Sequence, residues 1–417
     1  MLTAARLGAA TLSAALLTGA AAAPALADTP SPTAAAAPEG LYGKGDPTYD
    51  GVWRQSLALT ALAAAKVTPA DQAVAWLAGQ QCEDGGWPSY RAAGAACDAK
   101  TEDSNATAVA VQALVALGGH QDAVDKGVQW LKTVQNADGS WAFNPGNPGD
   151  ANSTGLAVNA LFAAKTDPAG VAKDGKNAFD GLARFQLGCA APADQRGAFA
   201  FQPDAASGAL APNALATAQA SLAAAGGRLP VAAGVRSDTA PKPPACQDGA
   251  AATPVAHADS AEAAGAYLTA QLGAGGNHLT LTMPGATPTP DYTATAWAAL
   301  GLTQSGHPQQ AAGAVDWLTQ NGAAWTKGGT DAGAAATLLL VSQAAQRDTA
   351  ALVQQLTALG PAPKATAPAS AAATTAPAAE KKKDGGIGQY WLIGIGLLIG
   401  IGGGLILSLQ RKRAPKL

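Results

Sequence analysis

The chain has 417 residues and a formal net charge of −3, with 26 Lys and Arg against 29 Asp and Glu. No basic excess is present, so we expect neither a nucleic acid nor another polyanion as partner. Only 13% of the residues are charged and Ala and Gly are abundant. The length allows one large domain or two ordinary ones.

Both ends are specialised. Residues 1–27 hold one basic residue, an apolar Ala/Leu run and Ala25-Leu26-Ala27, the layout of a secretory signal peptide. A Pro-containing linker follows at 28–48. After an Ala/Pro-rich stalk at 360–388, an uncharged run at 389–410 is long enough to span a bilayer. The basic tail at 411–417 predicts a cytoplasmic C-terminus.

These ends predict a single-pass cell-membrane protein whose main domain lies outside the cell. Gly396, Gly400 and Gly404 recur every fourth residue in the predicted span. Such spacing leaves one helix face bare for close contact, so a homodimer through this face is one hypothesis. An ordinary consequence of a Gly-rich composition is the equal alternative.

Between the ends, the sequence repeats itself. Residues 76–87 read WLAGQQCEDGGW and residues 130–141 read WLKTVQNADGSW, so two Trp, a Gln and an Asp coincide at one fixed offset. Repetition at a fixed period indicates a repeat architecture. We interpret the repeated residues as structural: Gly supplies positive-φ turns, Gln bonds freed backbone groups, and Trp wedges between neighbours. They are Gln81, Asp84, Gly85, Gly86, Trp87, Gln135, Asp138, Gly139 and Trp141.

Two helix types alternate through this part of the chain. The first type begins at a capping Asp or Asn and is apolar or small on all faces, so it is predicted to be buried. Its starts are Asp50, Asp103, Asp150, Asn213, Asp291 and Asp331. The second type is amphipathic. Its ranges are 69–81, 121–135, 168–187, 259–272, 308–320 and 347–359.

Six such pairs predict an all-α fold of about twelve helices, an (α/α)6 toroid over residues 49–359. A Pro/Gly-rich stretch at 226–257 interrupts the fourth pair as an insertion. An open solenoid is the alternative, but it needs polar capping repeats that neither end provides.

Four cysteines in an exported protein predict two disulfides. We favour Cys82–Cys97, which closes a short loop worth roughly 3 kcal/mol of chain entropy, and Cys189–Cys246, which would pin the insertion. No CxxC or clustered His supports a zinc site, and we expect no metal and no cofactor.

The Gln…Asp-Gly-Gly-Trp turn after a Trp-Leu helix resembles the QW-type repeat of the prenyltransferase/squalene cyclase α/α-toroid superfamily. That superfamily also contains cobalamin carriers of the transcobalamin type and the thioester domains of complement-like proteins. The resemblance implies the toroid without choosing among these functions.

The catalytic motifs of the superfamily are not found here. The Asp-x-Asp-Asp of triterpene cyclases and the DDxxD of diphosphate-binding synthases are absent, and no Cys lies two residues after an Asp as the prenyltransferase zinc site requires. The thioester motif fails at Gly188-Cys189-Ala190-Ala191. His120, His257, His278 and His307 are scattered, and we interpret them as surface polar residues. An enzyme is therefore the less favoured reading.

The helix starts should gather at one mouth of the toroid, where aromatic residues in an Ala-rich wall leave room for a ligand. The candidates are Tyr49, Asp50, Trp53, Asp103, Asp150, Asp291, Tyr292 and Trp297; simple caps and core fillers are the alternative readings. We expect a non-catalytic binder of a bulky amphipathic molecule, corrinoid or isoprenoid-like, with a membrane transporter as a further partner. A cyclase or prenyltransferase using the mouth carboxylates, and a toroid that binds proteins through the insertion, remain open.

Overall fold

The computed structural model describes residues 38–233, 239–246, 254–282 and 285–365. The predicted signal peptide, membrane span and basic tail lie outside these residues, as do most of the stalk and the first part of the linker.

Twelve α-helices lie within the described residues, and they alternate between an inner and an outer set. The inner helices are α1 (Gly51–Ala64), α3 (Ser104–Leu117), α5 (Ala151–Ala163), α7 (Ala214–Ala224), α9 (Tyr292–Gln304) and α11 (Ala332–Ala344). The outer helices are α2 (Asp71–Gly79), α4 (Gln121–Val134), α6 (Ala178–Ala183), α8 (His257–Ala274), α10 (Pro308–Trp325) and α12 (Ala350–Ala358).

Each inner helix packs against the next, and α11 packs against α1 as well as against α9. The order is therefore cyclic, which is consistent with the predicted all-α toroid.

Amino-acid composition explains why the helices form an inner and an outer layer. In α3 every residue from Ala106 to Leu114 is buried, because small and apolar side chains cover all its faces. In α4 the buried apolar residues Val124, Val128 and Leu131 follow a helical stripe.

Two predicted boundaries were wrong. Residues 168–187 do not form one helix: a single 3-10 turn at Pro168–Gly170 leads into the hairpin β1 (Ala172–Lys173) and β2 (Lys176–Asn177) before α6. The turn residues Asp174 and Gly175 both have positive φ, as tight hairpin turns require. The outer helix predicted at 308–320 continues to Trp325 as α10.

A second hairpin, β3 (Leu279–Leu281) and β4 (Thr289–Asp291), leads into α9. Leu279 pairs with Asp291, so this hairpin holds the start of α9 beside the end of the preceding turn.

The repeated turns join neighbouring pairs. The Gln81 side-chain amide donates to the carbonyls of Gly85 at 3.1 Å and Ala123 at 2.9 Å, tying the turn to the next outer helix. Gly85 has φ +105°, and a Cβ there would lie 2.3 Å from the Lys126 carbonyl oxygen. Only Gly fits this position. Gln135, Gly139 and Trp141 repeat the arrangement.

One recurring contact was not predicted. The backbone N–H of Trp87 donates to Thr107 Oγ1 at 2.9 Å. Trp141, Phe199 and Leu279 donate in the same way to a Thr in the following inner helix, at 2.9–3.0 Å. These acceptors are Thr154, Thr217 and Thr295. Each Thr lies four residues after the capping Asp or Asn, so the sequence does carry the signal, as Asp/Asn-x-x-x-Thr.

The first residues of the insertion pack against the inner helices. Leu229 and Val231, which follow α7, are buried in the main core. The Leu229 N–H donates to Gln112 Oε1 near the end of α3, at 2.7 Å. This part of the insertion therefore packs inside the molecule.

Both predicted disulfides are formed, Cys82–Cys97 and Cys189–Cys246, with Cα–Cα distances of 5.8 and 5.4 Å. The second joins the turn after α6 to the insertion. Structural disulfides are typical of proteins that fold in an oxidising compartment.

The prediction of a single-pass protein in the cell membrane is contradicted. Within the described ranges, no helix is both long and apolar enough to cross a membrane. The run at 389–410 on which the prediction rested, with its Gly396, Gly400 and Gly404 face, lies outside those ranges.

Candidate functional site

A cavity of about 850 Å³ opens where the inner helices begin. Its wall combines carboxylates, neutral polar groups and apolar side chains from five of the six repeats. The lining residues are Tyr49, Asp50, Trp53, Ser89, Asp103, Asn105, Ala106, Phe143, Asp150, Asn152, Ser153, Leu156, Phe201, Pro212, Asn213, Ala214, Leu215, Gln219, Tyr267, Gln271, Leu279, Thr280, Leu281, Thr282 and Asp291.

Asp103 and Asp150 are the buried acids of the wall, each 3% exposed. Asp103 caps α3 by accepting from the Ala106 N–H at 2.7 Å, and it accepts a second bond from the Ser89 hydroxyl at 2.7 Å. Asp150 caps α5 and accepts from the Ser153 N–H and hydroxyl, both at 2.8 Å. Burial raises the pKa of Asp103 to about 6 and raises that of Asp150 as well.

The other capping acids differ. Asp291 caps α9 through the Ala294 N–H and lines the cavity. Asp331 caps α11 in the same way but is not part of the wall, so the predicted ring of acids is incomplete there.

Asp50 makes no side-chain cap to α1, contrary to the prediction. It pairs instead with Arg54 at 2.5 Å. The Arg54 guanidinium is buried and donates to the carbonyls of Tyr42 and Gly45, which fix it one turn below Asp50. The charged Arg54 guanidinium is a stronger partner for the Asp50 carboxylate than an uncharged backbone N–H of the first turn of α1. Burial nevertheless raises the pKa of Asp50.

The rim of the cavity is apolar. Among the described residues, four large apolar side chains are exposed, and all four line this cavity: Tyr49 at 86%, Phe143 and Phe201 at 47%, and Leu281 at 46%. Phe143, Phe201 and Leu281 each lie two residues after a buried turn residue of the repeat, and Ser89 holds that place in the first repeat. The prediction missed three of these four residues, although the fixed offset from Trp141, Phe199 and Leu279 marks them.

Two predicted aromatics do not reach the cavity. Trp297 is 1% exposed and lies beneath Trp53, with ring centroids 6.4 Å apart. Tyr292 turns to the outer layer and packs against Trp317 and Trp325, at 4.9 and 5.8 Å. Trp53 alone of the three lines the wall.

His307 was predicted to be a surface polar residue, and this was wrong. It is buried, with its ring nitrogens 2.7 Å from the Thr239 carbonyl and 2.7 Å from Glu262 Oε1. His278 stacks on Trp317 with centroids 4.5 Å apart. Neither residue lines the cavity.

The wall carries neutral polar groups besides its carboxylates. Across the described ranges no cluster of three or more His, Cys, Asp and Glu side chains could hold a metal ion. Polar groups on the wall include an amide oxygen, Asn105 Oδ1, that is buried and has no hydrogen-bond partner in the structure. A wall of this kind offers apolar contact at the rim and acceptors further in.

Comparison with known proteins gives a family match for part of the chain and similarity to solved structures. Residues 39–157 match the family model described as "Squalene-hopene cyclase C-terminal domain". A solved structure described as "Crystal structure of a protein from Actinoplanes" is similar, with 16% identity and a TM-score of 0.44 over 75% of this chain and 95% of that chain. No curated protein matches the chain.

The matched residues contain α1 to α4 with both Gln–Trp turns, and they reach into α5, so the match falls on the segment that carries the sharpest repeat. Residues 39–157 of this chain are therefore similar to the squalene-hopene cyclase C-terminal domain, of the prenyltransferase/squalene cyclase superfamily.

Proposed function

We propose that this chain binds a bulky amphipathic small molecule in the 850 Å³ cavity. The observation that carries the proposal is the convergence of Tyr49, Phe143, Phe201 and Leu281 on one opening. Exposed apolar surface costs about 25 cal/mol for each Å² left in water, and an apolar ligand body removes that cost when it covers the rim. Grouped exposed apolar side chains mark a binding surface more often than scattered ones do.

The interior of the cavity supports the amphipathic part of the proposal. Below the rim lie the Asp103 and Asp150 carboxylates and the amide pair Asn152–Gln219, joined at 2.5 Å. Buried polar groups favour a ligand that carries hydrogen-bonding groups on one side. A corrinoid and an isoprenoid alcohol both combine a large apolar surface with polar groups, so they are the two ligand classes to test.

The test is equilibrium dialysis of the full chain against cyanocobalamin and, separately, against geranylgeraniol. We expect saturable binding of at least one of them. In a Phe143→Ser/Phe201→Ser variant the affinity should fall at least about tenfold, since each lost aromatic forfeits roughly 1.5–3 kcal/mol of burial. Ser is chosen because Ser89 already holds this position in the first repeat.

The matched control is Phe143→Leu/Phe201→Leu, which copies Leu281 of a later repeat and keeps the rim apolar. It should bind like the wild type. Equal affinity of the Ser and Leu variants would contradict the proposed role of the rim, and absence of saturable binding to either probe would remove these two ligand classes.

A second candidate function is acid–base catalysis of the cyclase type. It is favoured by Asp103, a cavity carboxylate whose pKa burial raises to about 6, near the range a general acid needs. Incubation with a linear polyprene epoxide and chromatography for isomeric products tests it. Product formation that Asp103→Asn abolishes would support the enzyme; unchanged formation in that variant would exclude Asp103 as the acid.

A further inference from the structure

The charge of the cavity wall is one-sided. Four of its lining residues are Asp, and none of the lining residues that the structure describes is Lys, Arg or His. Arg54 neutralises Asp50 from behind the wall. In the described part of the chain, Asp103, Asp150 and Asp291 have hydrogen-bond donors but no ion-pair partner.

Helix N-termini normally attract anions, because their first N–H groups are free. At the starts of α3 and α5, the first and third of these N–H groups are already bonded. The Ser104 N–H of α3 donates to the Phe143 carbonyl at 2.9 Å, and the Ala151 N–H of α5 donates to the Phe201 carbonyl at 3.0 Å. The third N–H of each helix is taken by its own Asp. An anionic head group at either helix start would therefore meet a carboxylate and two N–H groups that are already bonded.

Five aromatic side chains line the same cavity as these acids. Tyr49, Trp53, Phe143, Phe201 and Tyr267 all line the cavity. Their π faces attract cations, with about 0.5–2 kcal/mol per contact depending on desolvation. A bound ligand also removes water from the carboxylates, and this costs free energy unless the ligand supplies a positive charge or a donor.

We infer that the head group of the ligand is a cation, such as an ammonium, carried on an apolar body, and that anionic amphiphiles such as alkyl phosphates are excluded. This inference rests on the proposed function and specifies the ligand class of the same cavity. The apolar body lies against Phe143, Phe201 and Leu281, and the head group reaches the acids below them.

The test compares three probes with one body and different heads: decylammonium, decanol and decyl phosphate, each below its micelle concentration. Titration calorimetry of the full chain should rank them in that order, with ammonium about tenfold tighter than the alcohol, the equivalent of one charge-assisted contact. In an Asp103→Asn/Asp150→Asn/Asp291→Asn variant, the preference should shrink to about twofold.

Asn is used because it caps helices as Asp does, and because Asn213 is the natural cap of α7. The matched control is Asp331→Asn, which changes an equivalent cap on α11 outside the cavity and should leave the ranking unchanged. Far-UV circular dichroism verifies that each variant is folded.

The outcomes separate the two ideas. Phosphate binding as tight as ammonium, or an ammonium preference that survives in the triple Asn variant, overturns the cation inference and leaves the binding function standing. No saturable binding by any of the three heads to the wild type overturns the cation inference, and the dialysis against cyanocobalamin and geranylgeraniol then decides whether the binding function stands.

Discussion

At the residue scale, the most unusual side chain is Glu102, which is 2% exposed beside the first repeated turn. Its Oε2 accepts from the Trp130 indole N–H at 2.7 Å. Burial, reinforced by the nearby Asp84 charge, raises the pKa of Glu102 to about 7, against 4.5 in a free side chain. Because the folded pKa is the higher one, the protonated form favours folding. Its stabilising contribution is complete below about pH 4.5 and is lost as the pH rises through about 7.

We therefore expect Glu102→Gln, which keeps an oxygen acceptor for Trp130, to remove this pH dependence. Relative to the wild type, the variant should gain stability from pH 5 to about pH 7 and level off by pH 8. Urea unfolding of both proteins at pH 5, 6, 7 and 8 measures the difference in the free energy of unfolding. Glu83→Gln, which removes a carboxyl at an exposed site in the same segment, is the control. A constant difference for Glu102→Gln would show that the carboxyl is ionised throughout.

Residue-scale prediction from sequence succeeded where one local rule decides the outcome. Asp103, Asp150 and Asp331 cap their helices as the N-cap preference predicts. It failed at Asp50, where the tertiary contacts of Arg54 decide the partner. The Asp50–Arg54 spacing of four residues is a local pattern that the sequence does carry, whereas the bonds from Arg54 to the carbonyls of Tyr42 and Gly45 follow from the tertiary fold.

At the element scale, one threonine hydroxyl connects each repeated turn to the inner helix that follows it. Trp141 N–H donates to Thr154 Oγ1 at 3.0 Å, and both residues are fully buried. Thr154→Val keeps the shape and leaves this N–H without an acceptor. The expected cost is about 1–3 kcal/mol, the penalty for an unsatisfied buried group. Urea unfolding gives the free energy directly.

The matched control is Thr60→Val in α1, a Thr that is 1% exposed. The Thr60 hydroxyl donates to the Ser56 carbonyl of the same helix at 2.7 Å. Removal of this hydroxyl therefore leaves no backbone N–H without an acceptor. We expect a cost below about 1 kcal/mol there. Similar losses in the two variants would contradict a special role for the turn-to-helix bond.

The bounds of helices with strong hydrophobic periodicity were predicted well. Predictions were poor where a turn sets the local structure. The hydrophobic stripe of α4 fixes its bounds almost to the residue. The range 168–187 has helical composition, but Asp174-Gly175 can adopt the positive φ of a hairpin and does so. The rim residues Phe143 and Phe201 were missed because an exposed aromatic contributes no core periodicity. Only alignment of the repeats on their buried turn residue places them.

At the scale of the whole molecule, the cavity depends on the cyclic order of the inner helices. α11 packs against α1, and the Gln343 side chain donates to the Ala61 carbonyl across this junction at 3.3 Å. The Gly43 N–H also bonds the Leu359 carbonyl at 2.9 Å, joining the segment before α1 to the residue after α12. Six similar pairs predicted this order from sequence. The sequence could not show which aromatic residues line the cavity. Trp53 and Trp297 pack against each other, and only the fold decides that Trp53 lines the cavity while Trp297 lies beneath it.

A ring and a row of repeats respond differently to truncation. In a row, each repeat contacts only its neighbours, so removal of the last pair leaves the others folded. In a ring, deletion of residues 331–417 removes α11 and α12 and strips cover from α1 and α9 at once. We expect this truncation to abolish the cooperative urea transition followed by circular dichroism. A chain that ends at Ala365 keeps all twelve helices and is the control. A cooperative transition of the shorter chain at the control's midpoint would mean that the contact between α1 and α11 contributes little stability, and the cavity would then be a groove between independent repeats.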